Sequence, residues 1–171
     1  MIHRSHWRKF DKYKQAFEYI EEHKPKLVVE YGGGDSTYFI YKCLEELNYG
    51  GKVIGYEDNI EYFKKFNETY PELKGILKLV DIEQVDKKRG HVRYKHNIEE
   101  LKDVEMVIID GPDYKRYPTP TGSPSNLTTN LKELNEHFNK NITYFIDGRS
   151  GCVDYYYKEL KYPNYIKQID K

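Results

Sequence analysis

Acidic residues stand directly after each apolar run of this chain, and they are the groups whose type and spacing could do chemistry. The first run ends in Glu30-Tyr31-Gly32-Gly33-Gly34-Asp35-Ser36-Thr37, the second in Glu57-Asp58-Asn59 and the third in Asp81. The fourth ends in Asp110-Gly111-Pro112-Asp113 and the fifth in Asp147-Gly148-Arg149-Ser150. Gly32, Gly33 and Gly34 let the backbone turn sharply and approach a ligand closely. Ser36 can cap the following helix, whose first amides would then face that ligand. Glu30 and Asp35 make the loop acidic, which suits a ligand carrying positive charge better than a pyrophosphate. A competing reading makes these acids simple helix caps. Asp110 and Asp147 form a second constellation. Carboxylates converging from two strand ends could hold Mg2+ or Ca2+, or Asp110 could contact a ligand with no metal.

The loop at 111–126 carries Asp113, Tyr114, Lys115, Arg116 and Tyr117, followed by Pro118, Pro120 and Pro124. A loop of that length beside a strand end commonly binds a second substrate or closes as a lid. Asp113, Tyr114 and Arg116, with Lys115 and Arg149, are candidates for holding an acceptor, anionic ones through the basic groups. The alternative is that the basic groups are solvated. His91 and His96 are candidate general bases for a hydroxyl, or else packing residues. The segment 1–24 is locally basic, with Arg4, Trp7, Arg8, Lys9, Lys12 and Lys14. It could touch nucleic acid, but a helix packing one face on the fold and leaving its lysines in water is the preferred reading.

The elements that must position these groups follow from periodicity. Tyr13, Phe17 and Ile20 repeat at helical spacing over 11–23, and Pro25 stops that helix. Leu27-Val28-Val29, Val53 to Tyr56, Ile76 to Ile82, Met106 to Ile109, Ile142 to Ile146 and Tyr165 to Ile169 are short apolar runs that predict strands. Helices are predicted at Ser36 to Leu47, Ile60 to Phe66, Leu127 to Phe138 and Asp154 to Leu160, while 91–102 reads as an added short strand and a helical turn. Strands alternating with helices imply a doubly wound, mainly parallel α/β sheet of five or six strands. Residues 1–171 are expected to form one domain. In such sheets ligands bind outside the carboxyl ends of the strands, where the strand order reverses.

Composition narrows the function classes. The 171 residues hold 28 basic and 28 acidic side chains, so no global nucleic-acid footprint exists. With 18 tyrosines, much of the packing area must come from rings whose buried hydroxyls need partners. No apolar stretch reaches the roughly 18–20 residues that span a bilayer. The basic N-terminus lacks the apolar region of a secretory signal, and the two cysteines, Cys43 and Cys152, are expected as free thiols. A cytoplasmic location is the expectation.

The glycine loop departs from the dinucleotide fingerprint, because the third glycine would fall at Thr37. Glu30, Gly32 and Gly34, followed by Glu57 after the second strand, instead resemble the class I S-adenosylmethionine (SAM)-dependent methyltransferases, over about residues 25–160. Glu57 lies 25 residues beyond Gly32, near the roughly 20 expected of an acid that holds ribose hydroxyls. The resemblance implies a Rossmann-like methyltransferase fold, without the family's usual final antiparallel hairpin. It implies SAM bound by Glu30, Gly32, Gly33, Gly34, Ser36, Thr37, Glu57, Asp58 and Asp110, with Asp81 either near the adenine or a strand-end cap. Asp110 and Asp147 become the candidate catalytic residues. Metal-dependent small-molecule O-methyltransferases resemble this acid pair, although Gly148 stands where they carry Asn. The expected activity is methyl transfer to a small-molecule acceptor hydroxyl, with a homo-dimer left open. The alternatives are a non-catalytic SAM- or nucleotide-binding protein, a SAM-cleaving enzyme and an NAD(P)-dependent oxidoreductase.

Overall fold

The computed structural model describes residues 11–113, 127–147, 150–160 and 166–169. A 3-10 turn at Asp11–Tyr13 leads into α1 (Lys14–His23), which ends at Lys24 in the left-handed conformation, one residue before Pro25. Then follow β1 (Leu27–Tyr31), α2 (Asp35–Leu47), β2 (Lys52–Glu57), α3 (Ile60–Thr69) and β3 (Leu77–Leu79). The chain continues through β4 (Ile82–Asp86), β5 (His91–Tyr94), a 3-10 turn at Ile98–Leu101, β6 (Val104–Ile109) and β7 (Leu127–Thr128). It closes with α4 (Asn130–Phe138), β8 (Thr143–Asp147), α5 (Ser150–Glu159) and β9 (Ile166–Ile169).

Six strands form one sheet in the order β3-β2-β1-β6-β8-β9, and every pairing within it is parallel. The order reverses between β1 and β6. β1 is buried at all five positions because helices cover both faces. Alternation along it sends Leu27, Val29 and Tyr31 toward α4 and α5, and Val28 toward α1 and α2. α3 packs beside α2, with Phe66 against Leu73 and Leu77. Tyrosine supplies much of the interior: Tyr13, Tyr31, Tyr56, Tyr94, Tyr144 and Tyr156 are among the largest fully buried side chains.

The doubly wound α/β reading and the six-strand count agree with this sheet. Three details differ from the sequence expectations. The run 76–82 is two strands rather than one: β3 ends at Leu79, and the chain turns away to begin a separate three-stranded sheet, β4-β5-β7. Asp81 lies in that turn, exposed, and its backbone carbonyl accepts a hydrogen bond from Lys95 N at 2.8 Å. It therefore does not cap a strand of the main sheet. The helix expected from Leu127 starts only at Asn130, because Leu127 and Thr128 pair with His91 and Val92 of β5. Asn130 fixes that junction from its buried side chain. Its Oδ1 accepts from Tyr94 N at 2.8 Å, and its Nδ2 donates to Tyr94 O at 3.0 Å.

Candidate functional site

At the reversal point the loops after β1 and β6 press backbone to backbone. Gly32 N and Gly33 N both donate to Tyr56 O, while Asp110 N and Gly111 N both donate to Tyr31 O. Gly32 has φ +86°, and a Cβ there would collide with the Gly111 backbone, its distance to Asp110 C being 2.8 Å. Gly33 is constrained differently: a Cβ would strike the Leu77 side chain and come 2.8 Å from Thr37 Oγ1. Thr37 presses equally on Gly55 of β2, so a glycine in the loop after β1 and one on β2 let the start of α2 approach the sheet. Gly34 has nothing within 4 Å of a hypothetical Cβ and faces open space.

These loops border a cleft of about 330 Å³ at the carboxyl ends of β1, β2 and β6. Gly32, Gly33 and Gly34 line it with Asp35, then Glu57, Asp58 and Asn59, and on the far wall Asp110, Gly111, Pro112 and Asp113. Tyr62, Lys65 and Phe66 of α3 complete the lining. Among these residues Lys65 is the one base against the acids Asp35, Glu57, Asp58, Asp110 and Asp113, so the cleft is electrostatically suited to a cationic ligand. Glu57 is nearly buried, and its Oε1 accepts the Asn59 amide at 2.6 Å. The Asn59 side chain in turn caps α3 by accepting from Glu61 N at 2.9 Å. Glu57 is thereby held at the cleft by the same turn that starts the helix.

Three expected cofactor residues sit behind the cleft wall rather than in it. Glu30, Ser36 and Thr37 are buried and are not among the lining residues. Thr37 donates to Glu30 through its hydroxyl and accepts from Gly34 N at 3.0 Å. Burial pushes the Glu30 carboxyl from 4.5 up to about 8, outweighing the hydrogen bonds it accepts from Ser36 and Thr37. Tyr13 has one proton to donate. Its hydroxyl lies 2.7 Å from Asp110 Oδ2 and 3.4 Å from Glu30 Oε1. The shorter contact takes the proton, and neutral Glu30 can then donate to the Tyr13 oxygen.

Asp110 and Asp147 come together as expected, at the ends of adjacent strands. The group between them is Lys12. Its Nζ lies 2.6 Å from Asp147 Oδ2 and 3.0 Å from Asp110 Oδ2. Lys12 is thus drawn into the site instead of pointing into water. The Asp110 carboxyl is raised to about 6, first by burial and then by Asp147, against the opposing pull of Lys12 and Tyr13. Among the described residues no group of three or more His, Cys, Asp or Glu could hold a metal ion. The acid pair does not fit Mg2+ or Ca2+ as placed, because an ammonium fills the space between its carboxylates.

The remaining candidates fall elsewhere. His96 stacks on Tyr56 with ring centroids 4.6 Å apart and meets the Tyr31 hydroxyl at 2.8 Å on the opposite face of the sheet. Burial pulls its pKa down to about 4. His91 packs edge-on against Tyr155. Neither histidine lines the cleft, and neither does Asp81. Tyr114, Lys115, Arg116 and Arg149, with Arg4, Trp7, Arg8 and Lys9, lie outside the described residues. Reading the sequence missed Tyr62, Lys65 and Phe66, although their i, i+3, i+4 spacing after Glu57 marks one helix face. It also missed the role of Lys12 and Tyr13, for which no local signal exists.

No protein-family model matches the chain, and no curated protein matches it. A crystal structure of a candidate RNA methyltransferase from Pyrococcus horikoshii is similar over 64% of this chain and 48% of its own length, at 19% identity and a TM-score of 0.34. The chain thus spans about half of that protein. The likeness is weak and partial.

Among the described residues no helix is long and apolar enough to cross a membrane.

Proposed function

We propose that the cleft binds SAM and that the protein transfers its methyl group to a small-molecule acceptor, a hydroxyl compound in the simplest case. The observation that carries this reading is the meeting of the Gly32–Gly34 loop, Glu57-Asp58 and Asp110 around one acid-lined cleft. Its volume of about 330 Å³ lies at the lower end of the roughly 300–1,000 Å³ of small-molecule sites. SAM, when bound, supplies a sulfonium-activated methyl group. Glu57 and Asp58 would accept the ribose hydroxyls, and the exposed ring of Tyr62 offers a flat face for the base. Gly34 at the start of α2 leaves room for the amino-acid end of the ligand. Asp110 faces the cleft with a proton affinity raised toward neutrality, so it can take the acceptor's proton as the new bond forms. Positioning by the loop and the two acids would do most of the remaining work.

A nicotinamide dinucleotide is the second reading, favoured by one observation. The parallel β9 completes the strand order usual in dinucleotide-binding domains. Against it stand Thr37 in place of the third glycine and the acidic lining. Calorimetry with SAM and with NAD decides between them. Saturable SAM binding that weakens in Glu57→Ala is the expected result, and tight NAD binding with no response to SAM overturns the proposal. Incubation with labelled SAM and no acceptor separates methyl transfer from SAM cleavage.

A further inference from the structure

Two carboxylates converge from neighbouring strand ends, Asp110 lining the cleft and Asp147 buried beside it, and they repel each other, so their charge must be balanced. Oxygen-rich sites of this kind commonly recruit a divalent cation. In this fold the balancing charge comes from the chain itself. Lys12 sits on the 3-10 turn before α1, 98 residues from Asp110 in sequence. Its Nζ is within hydrogen-bond reach of three carboxylate oxygens: Asp147 Oδ2 at 2.6 Å, Asp110 Oδ2 at 3.0 Å and Asp110 Oδ1 at 3.2 Å. These are ammonium–carboxylate lengths, and all three ammonium protons can be used. The arrangement is anchored from beneath by the Tyr13 hydroxyl on Asp110 at 2.7 Å, with Tyr13 itself fully buried in the core of α1 and α2. The Asp147 side chain is 9% exposed, so an uncompensated charge there would be costly.

We infer that Lys12 is the resident counter-ion of the Asp110–Asp147 pair, standing where a divalent cation would otherwise bind, so that ligand binding in the cleft needs no metal. The role of the pair in the cleft rests on the SAM reading; the counter-ion role does not. Lys12 touches neither the proposed donor nor the acceptor and is a positioning residue, holding Asp110 and Asp147 side by side against their mutual repulsion. The segment 11–13 therefore belongs to the site, although it precedes the glycine loop by about twenty residues.

The test is divalent-cation binding to the full chain, with no SAM present. Calorimetry and thermal melts are run with MgCl2 and CaCl2 on the wild type, Lys12→Met, Lys12→Gln and Lys12→Arg. The wild type and Lys12→Arg are expected to show no saturable binding and no cation-dependent rise in Tm. Lys12→Met and Lys12→Gln should melt lower and bind at least one of the two cations at least tenfold more tightly than the wild type, with Tm recovering as it is added. Adding Asp147→Asn to Lys12→Met should abolish that gain, which locates the cation at the pair. Equal cation binding by the wild type, Lys12→Met and Lys12→Gln overturns the inference. So does a destabilised Lys12→Met that neither cation stabilises. A parallel calorimetric titration of the wild type with SAM, in EDTA and in MgCl2, keeps the two proposals apart. Absent SAM binding removes the SAM reading but leaves the counter-ion result standing, whereas SAM binding that requires Mg2+ overturns the counter-ion inference alone.

Discussion

Replacing Glu30 by Gln tests the electrostatics of the interior more sharply than any change in the cleft. Glu30 has no exposed surface, and burial raises its carboxyl from 4.5 to about 8. Below about pH 4.5 the acid is protonated in both folded and unfolded chains and contributes no pH dependence. Between 4.5 and 8 the folded chain keeps a proton that the unfolded chain releases, so stability falls as pH rises through that window. Each pH unit corresponds to about 1.4 kcal/mol, so about 3 kcal/mol is lost by pH 7 and about 5 kcal/mol by pH 8. A domain's whole stability is typically about 5–15 kcal/mol. Gln keeps the shape and the capacity to accept from Thr37 but cannot ionise. Its cost is an imperfect hydrogen bond, about 1 kcal/mol, independent of pH. Urea unfolding at pH 5, 7 and 8.5 measures both proteins. The expected result is a Glu30→Gln variant slightly less stable at pH 5 and more stable at pH 8.5, the difference swinging by roughly 4 kcal/mol. A difference that stays within about 1 kcal/mol across that range would refute the neutral, buried acid.

Four further outcomes are expected. Glu57→Ala should weaken SAM binding by about 1–3 kcal/mol, as for loss of charged-acceptor hydrogen bonds, and unchanged calorimetric affinity counts against the ribose role. SAM affinity should fall as pH is lowered through about 6, because Asp110 then takes a proton and ceases to offset the ligand's positive charge; a flat profile from pH 5 to 7.5 argues that Asp110 does not face the ligand. Gly32→Ala, at φ +86° and against the Gly111 backbone, should destabilise by more than about 1 kcal/mol, while Gly34→Ala should stay within about 0.5 kcal/mol. Similar melting temperatures for the two glycine variants would contradict the packing described. His96→Phe, outside the cleft lining, should leave SAM affinity unchanged in calorimetry, and a large loss would place His96 in the site.

The alternation of apolar runs with helical stretches determined the doubly wound sheet, since strands buried on both faces and amphipathic helices are local patterns. The same locality made the placement of Glu57, Asp110 and Asp147 at one edge of the sheet legible, because the carboxyl ends of parallel strands share one edge whatever the details of packing. Gly32 was legible as a turn, but its backbone contact with Gly111, which makes glycine obligatory on both sides, exists only once β1 and β6 are neighbours. Glu30 looked like a ligand-facing acid by its place in the motif. Alternation along β1 and the approach of α1 turned it inward onto Tyr13 and Thr37. Asp81 was assigned to a strand end because Ile76 to Ile82 reads as one apolar run, and only the partner of each half shows that the run divides between two sheets. β7 has two residues and no period of its own, so its pairing with β5 decided it. Lys12 is the clearest case. Its composition and neighbours mark a solvated surface lysine, and nothing within a helical turn signals otherwise. The fold brings β6 and β8 side by side, two acids meet at their ends, and a buried pair of like charges demands a cation that the nearest segment, however distant in sequence, supplies.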